Sequence, residues 1–516
     1  MLQLRLHYVL PCALIACAAD PEPVPSGGGA AIVLTSKRIV RLAGAEVTSA
    51  ATITGVSGSL VGIDVRPADG VVYALSAAGA LYTIDPATGV ATAKSTLAAD
   101  VADLTSPFTA LAGTRFGLDF NPAVDRLRVV STTGQNLRIN VDTGATFTDT
   151  GISGAVSGYG AAAYTNSIAA ACRTTLYGID EASDRLVLQN PPNDGTTASV
   201  GGLGIDATSV LGFDVQTDAA GASTAMALLT AGGTLRLHAI DLGSGSAGAG
   251  AVIDLDDGET AIDLAIPVAG GAVTQAPGEL FGLTESGKLL SFNRGTAAKA
   301  CTSTAMSGIA AGERVVGIDF RPSTGALHAL THANGTGKLY TIDPRTGAAS
   351  SGVTLSVPLA GTEFGMDFNP TGPVALRIIS DTGQNLRVTD VATGATTADS
   401  TLNGASTAAT AAAYTGSVPG ATATTLYVLD TKLDRLRIQN PPNSGTLVDV
   451  GAFGVDLDGS AGFDIDGRDG VAFVVANVAN ATTSTLRTVD LTTGVMSAPL
   501  GTIGGGERLR GIARVP

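Results

Sequence analysis

The chain has 516 residues, a formal net charge of −15, 45% hydrophobic but only 4% aromatic residues, and no Trp. Binding to a phosphate backbone depends on clustered Lys and Arg releasing counterions, so this acidic balance excludes nucleic acid as a partner. Charged residues at 15% are too sparse for a coiled coil, and Gly plus Pro, about 17% of the chain, stays below the range of aperiodic low-complexity sequences.

Residues 1–17 read as an export signal. Arg5 is followed by the apolar run Tyr8 to Ala16, too short to cross a bilayer as a mature helix. Leu14-Ile15-Ala16-Cys17 resembles the lipobox of bacterial lipoproteins, which implies lipidation at Cys17 and an outer-membrane or cell-surface address. Cleavage after Ala16-Cys17-Ala18 is the alternative and would release a soluble periplasmic or extracellular protein. Residues 18–30, Pro-stiffened and then Gly-rich, have the composition of a tether. The membrane is thus expected to be met only through an N-terminal lipid. Of the four cysteines, Cys12 and Cys17 belong to the signal segment, so the mature fold holds only Cys172 and Cys301. They lie in different halves at non-equivalent repeat positions, so unpaired buried thiols are expected.

Beyond residue 30 the chain repeats itself. Leu81-Tyr82-Thr83-Ile84-Asp85-Pro86 returns as Leu339-Tyr340-Thr341-Ile342-Asp343-Pro344, Thr133 to Arg138 returns as Thr382 to Arg387, and Leu188 to Asn193 returns as Ile438 to Asn443. The copies lie roughly 250 residues apart, so the chain is two homologous halves. Within each half a shorter period of about 50 residues carries the pattern Gly, apolar, Asp, apolar, as at Gly62-Ile63-Asp64-Val65 and Gly117-Leu118-Asp119-Phe120. Each unit reads as four short strands parted by Pro and Gly turns. Four-stranded units in tandem predict an all-β fold of propeller blades. Two tandem five-bladed β-propellers, residues 31–267 and 280–516 joined by a linker over 268–279, are favoured over one ten-bladed ring. Ile262–Ile266 is expected to close the first ring beside Ala31–Leu34, and Gly511–Val515 the second beside Leu280–Leu283.

The Leu-Tyr-x-Ile-Asp-Pro-x-Thr-Gly run, the Phe-Asn-Pro turns at Phe120–Pro122 and Phe368–Pro370, and the Thr-Gly-Gln-Asn-Leu-Arg run resemble a bacterial exported family known as domain of unknown function 4394. The resemblance covers nearly all of residues 31–516 in two copies. It implies a propeller-like fold and brings no activity, substrate or catalytic residue.

Catalytic material is scarce. Beyond the signal the histidines are His238, His328 and His332. The last two, four residues apart on a strand, are separated by about 13 Å, too far to share a metal. Gly243 to Gly248 matches G-x-G-x-x-G, but no helix follows to receive a pyrophosphate. No cofactor is expected. Ca²⁺ is the one ion the acidic residues admit, either at the recurring Asp64, Asp119, Asp214 and Asp263 with Asp319, Asp367 and Asp464, or in the turn-rich stretch Asp456–Gly470. Each recurring Asp reads first as a staple between blades, since a staple is needed in every repeat.

The candidate binding residues are polar groups retained in both halves: Arg128, Gln135, Asn136, Arg138, Gln189 and Asn190, with Arg377, Gln384, Asn385, Arg387, Gln439 and Asn440, accompanied by Asn193 and Asn443. Amides and guanidinium groups suit sugar hydroxyls or peptide groups, and equally suit tying off turns. The expected function is a monomeric, non-catalytic envelope module that binds a protein or glycan. The alternative is a carboxylate-dependent hydrolase or lyase working at a channel mouth.

Overall fold

The computed structural model describes residues 30–156, 158–256, 258–270, 273–372 and 375–516. The expected signal, Cys17 and nearly all of the tether lie outside the described residues. Among the described residues there is no α-helix, and the helical content is three single 3-10 turns, Pro192–Asp194, Arg294–Thr296 and Pro442–Ser444.

The chain forms two compact units, residues 30–170 with 174–270, and residues 171–173 with 273–516. Each contains five sheets built on four-stranded antiparallel ladders. In the first unit the inner strands follow one another around a ring. Leu60–Val65 touches Phe116–Asn121, then come Tyr159–Tyr164, Ala207–Thr217 and Ala261–Ala265, which returns to Leu60–Val65. The second unit repeats the cycle with Arg314–Arg321, Phe364–Phe368, Ala409–Tyr414, Gly462–Ile465 and Leu509–Arg514. The blades are numbered below by the order of these inner strands.

Both rings close by borrowing a strand from the far end of their sequence. Ala261–Ala265 pairs antiparallel with Ala30–Thr35, placing Leu264 opposite Val33. Leu509–Arg514 pairs with Leu280–Thr284, placing Ala513 opposite Phe281. These pairings make two rings of five rather than one of ten, and they remove the open sheet edges that invite aggregation.

The repeated Gly has a steric reason. A Cβ at Gly117 would lie 2.6 Å from the backbone nitrogen of Ala162 in the next blade, and one at Gly365 would lie 2.7 Å from Cα of Ala411. Backbones at the hub approach too closely for any side chain. Between the first and second blades the aliphatic core is Leu75, Leu81, Leu118, Leu127 and Leu137, with Tyr73 set edge-on to Phe120 at 5.2 Å. Along the outer rim, short parallel pairings stitch neighbouring blades, as where Ala98 and Ala99 lie beside Ala145 and Thr146.

Cys172 and Cys301 form a disulfide with Cα atoms 5.7 Å apart, which corrects the expectation of free thiols. The 171–173 turn belongs to the second compact unit, where the Cys172 N–H donates to Gln275 Oε1 at 3.3 Å and its carbonyl accepts from Asn293 Nδ2. Repeat position describes the blades and does not track where a loop between strands travels.

Candidate functional site

The recurring aspartates sit on the inner strands and grip the next blade. Asp64 accepts the Val65 N–H at Oδ1 and the Phe120 N–H at Oδ2, both at 2.6 Å. Asp214 does the same with Val215 at 2.6 Å and Ile266 at 2.5 Å, and Asp263 with Leu264 at 2.8 Å and Ile63 at 2.9 Å. In the second ring Asp319 accepts from Phe368 at 2.7 Å, and Asp464 from Ile465 at 2.6 Å and from the Arg514 backbone at 2.5 Å. These bonds make the aspartates staples.

They also converge. One carboxylate oxygen from each of Asp64, Asp119 and Asp214 lies within 4.8 Å of the other two, and Asp319, Asp367 and Asp464 repeat the arrangement. Burial pushes Asp214 up to about 6 and Asp464 up to about 7. At Asp119 and Asp367, burial and then the neighbouring carboxylates hold the carboxyl well above its usual range. The two triads differ in one respect. Asp119 and Asp214 share a side-chain hydrogen bond, whereas Oδ1 of Asp367 is buried without a hydrogen-bond partner. These six side chains are the ones with metal-ligand geometry among the described residues. Apart from Asp464, carboxylates of the acidic stretch Asp456–Gly470 are engaged by arginines: Asp466 pairs with Arg294 at 2.6 Å and Arg514 at 2.7 Å, and Asp458 pairs with Arg508.

The polar residues retained in both halves form one network between the second and third blades of each ring. In the first ring NH1 of Arg128 donates to Asn136 Oδ1 at 2.8 Å and to Asp149 Oδ2 at 2.7 Å, and NH2 donates to Asn193 Oδ1 at 2.7 Å. Nδ2 of Asn136 donates to the carbonyls of Thr150 and Pro192, and Nε2 of Gln189 donates to Pro192 at 2.6 Å. Arg138 holds the other oxygen of Asp149 at 3.0 Å. The second ring repeats these bonds. Arg377 reaches Asn385, Asp399 and Asn443, Asn385 reaches Ser400 and Pro442, Gln439 reaches Pro442, and Arg387 pairs with Asp399. Gln135 ties down a loop through the Ala112 N–H and the Ala110 carbonyl, as Gln384 does through Ala360 and Pro358. Asn190 and Asn440 are exposed and precede the cis prolines Pro191 and Pro441.

Arg128, Asn136 and Gln189 are at most 2% exposed, and each has its polar groups turned inward. What this network presents outward in the first ring is a cleft of about 450 Å³ whose lining includes Arg126, Arg128, Arg138, Tyr164 and Asn193, with Asp194 beside them. Arg138 is one-third exposed there. Arg126 is half-buried, donates NH1 to the carbonyl of Asp125 at 2.8 Å, and has no ion pair among the described residues. Asp149 and Tyr164 are not among the candidate binding residues of the sequence although Asp399 and Tyr414 repeat them, and that repetition is the signal that could have found them. Arg126 has no such signal, since the second half carries Ala375 in its place.

The histidines take structural places. His328 and His332 pack against Phe368 and Phe364 with ring centroids 5.1 and 5.3 Å apart, and His238 Nδ1 meets the Gly248 carbonyl at 2.9 Å. The glycine-rich Gly243 to Gly248 is a turn capped by Asp241, which accepts the N–H groups of Gly243 and Ser244 at 2.8 Å.

Two segments, residues 39–265 and 273–513, match one family model, a domain of unknown function, DUF4394. The chain belongs to the DUF4394 family. The two matched DUF4394 segments carry the two five-bladed rings. No curated protein matches the chain. Similar solved structures include the Dos1 propeller, 9% identical over 88% of this chain and 95% of that one, with a TM-score of 0.23. Another is the computationally designed Ika8 protein, 11% identical over 82% of this chain and 95% of that one, with a TM-score of 0.21. The Swd1 propeller domain from Myceliophteria thermophila is 12% identical over 63% of this chain and 94% of that one, with a TM-score of 0.24.

Proposed function

We propose that this DUF4394 protein is an exported, lipid-anchored envelope module, tethered through Cys17, that works as a monomer and binds a glycan without transforming it. The observation that carries this reading is the cleft between the second and third blades of the first ring. Arg126, Arg138 and Asn193 line it over a rigid floor in which Arg128 is already fixed. Guanidinium and amide groups held in place lose little freedom when they bond sugar hydroxyls. The placement of Asp119 and Asp367, 3% and 2% exposed, supports binding over hydrolysis, because a general acid must reach the bond it cleaves. A net charge of −15 supports a partner other than nucleic acid.

The test is calorimetric titration of the purified chain with neutral and uronic-acid oligosaccharides. Binding that weakens about tenfold in Arg126→Ala is expected, in keeping with loss of a charge-assisted hydrogen bond. Failure of every oligosaccharide to bind, or binding indifferent to that change, would sink the glycan reading. Lipid anchoring predicts detergent-phase partitioning that disappears in Cys17→Ser.

A further inference from the structure

We propose that the second ring holds one Ca²⁺ ion on the carboxylates of Asp319, Asp367 and Asp464. Three inner strands, Arg314–Arg321, Phe364–Phe368 and Gly462–Ile465, bring these side chains together. One oxygen from each lies within 4.8 Å of the others. Calcium takes oxygen ligands at roughly 2.3–2.6 Å, so ligands on opposite sides of one ion are at most about 5 Å apart, and the spacing fits.

Proximity of acids alone does not make a site, and two further observations point to a ligand. Asp367 is 2% exposed, and its Oδ1 is buried with no hydrogen-bond partner. A buried carboxylate oxygen without a donor is costly, and native folds seldom tolerate one. Asp367 is one of the three buried acids whose oxygens converge, so the orphan oxygen sits on a member of that cluster. None of the three acids forms an ion pair among the described residues. Beside them is a cavity of about 10 Å³ lined in part by Asp319 and Asp464, room for about one water. Calcium with three protein carboxylates needs further oxygen ligands, and such a water is one of them. Arg514 also borders the cavity, but Asp466 holds its guanidinium at 2.7 Å.

The first ring sets the contrast. There Asp119 and Asp214 share a side-chain hydrogen bond, and none of the three acids has a buried oxygen without a partner among the described residues. One ion per chain follows.

The experiment strips the full chain with chelator and titrates it with CaCl₂, following heat and bound metal together. One calcium per chain is expected, with a rise in Tm, because an ion that binds only the folded state stabilises it. Asp367→Asn keeps the shape and removes the charge, and should weaken binding about tenfold or more, since calcium affinity follows the count of charged ligands. Asp119→Asn should leave both affinity and stoichiometry unchanged. Asp464→Asn repeats the loss should Asp367→Asn not fold. A wild-type chain that binds no calcium, or calcium that survives Asp367→Asn, would overturn the assignment.

Discussion

A carboxyl at the hub answers to pH in the opposite sense from one on the surface. Asp214 is held protonated up to about pH 6 in the fold, by burial first, against a reference of 3.8. Folding therefore takes up a proton in that window. The stabilisation is complete below pH 3.8 and is lost as pH rises through 6. Asp214→Asn, which cannot ionise, should gain on wild type by about 1 kcal/mol between pH 5 and pH 8, read as a change in the Tm difference between the two. His328 has the reverse sign. Burial, with Arg321 adding to it, lowers that imidazole to about 4, so its contribution is present above 6.5 and lost as pH falls toward 4. Sequence reasoning found these aspartates because they recur, and read them as staples for the same reason. It could not see that Asp119 bonds to Asp214 while Asp367 keeps a bare oxygen, since both triads are three aspartates in the sequence.

At the level of strands, most of the fold was legible because turn chemistry punctuates it. Asp85-Pro86-Ala87-Thr88-Gly89 ends one strand and starts the next. The Ala87 N–H bonds to Asp85 Oδ1 at 2.8 Å, and Gly89 takes φ +75° where a Cβ would strike the Thr52 carbonyl of the neighbouring blade. The two-residue rim pairings were not legible, because a stretch such as Ala98–Ala99 carries no alternation and its partner lies in another blade. The inner-strand glycines give the test proper to this level. Gly117→Ala places a methyl into the backbone of Ala161 and Ala162, neither of which can rotate away. A loss of about 1–3 kcal/mol is expected, measured as a lower urea midpoint. An unchanged midpoint would show that the hub can spread.

For the whole molecule, the arithmetic of repeats gave ten blades and left one ring or two open, and the linker over 268–279 favoured two. The disulfide was invisible to that arithmetic. Cys172 belongs to a three-residue turn that is first-half sequence but part of the second compact unit. Removing Leu509–Pro516 takes the inner strand out of the blade that begins the second ring, leaving Leu280–Thr284 with an open edge. Such an edge recruits other chains, so the shortened protein should elute as aggregates in size-exclusion chromatography, and a clean monomer peak would argue against closure as the source of solubility.

Closure by the last strand also sets a timetable. Ala30–Thr35 leaves the ribosome first among the described strands, yet its inner partner, Ala261–Ala265, is synthesised more than two hundred residues later. Until then the nascent first ring is a horseshoe with two sticky ends. A polypeptide threaded through a translocation pore before it folds would pass that interval stretched out, and the wheel would snap shut only on arrival.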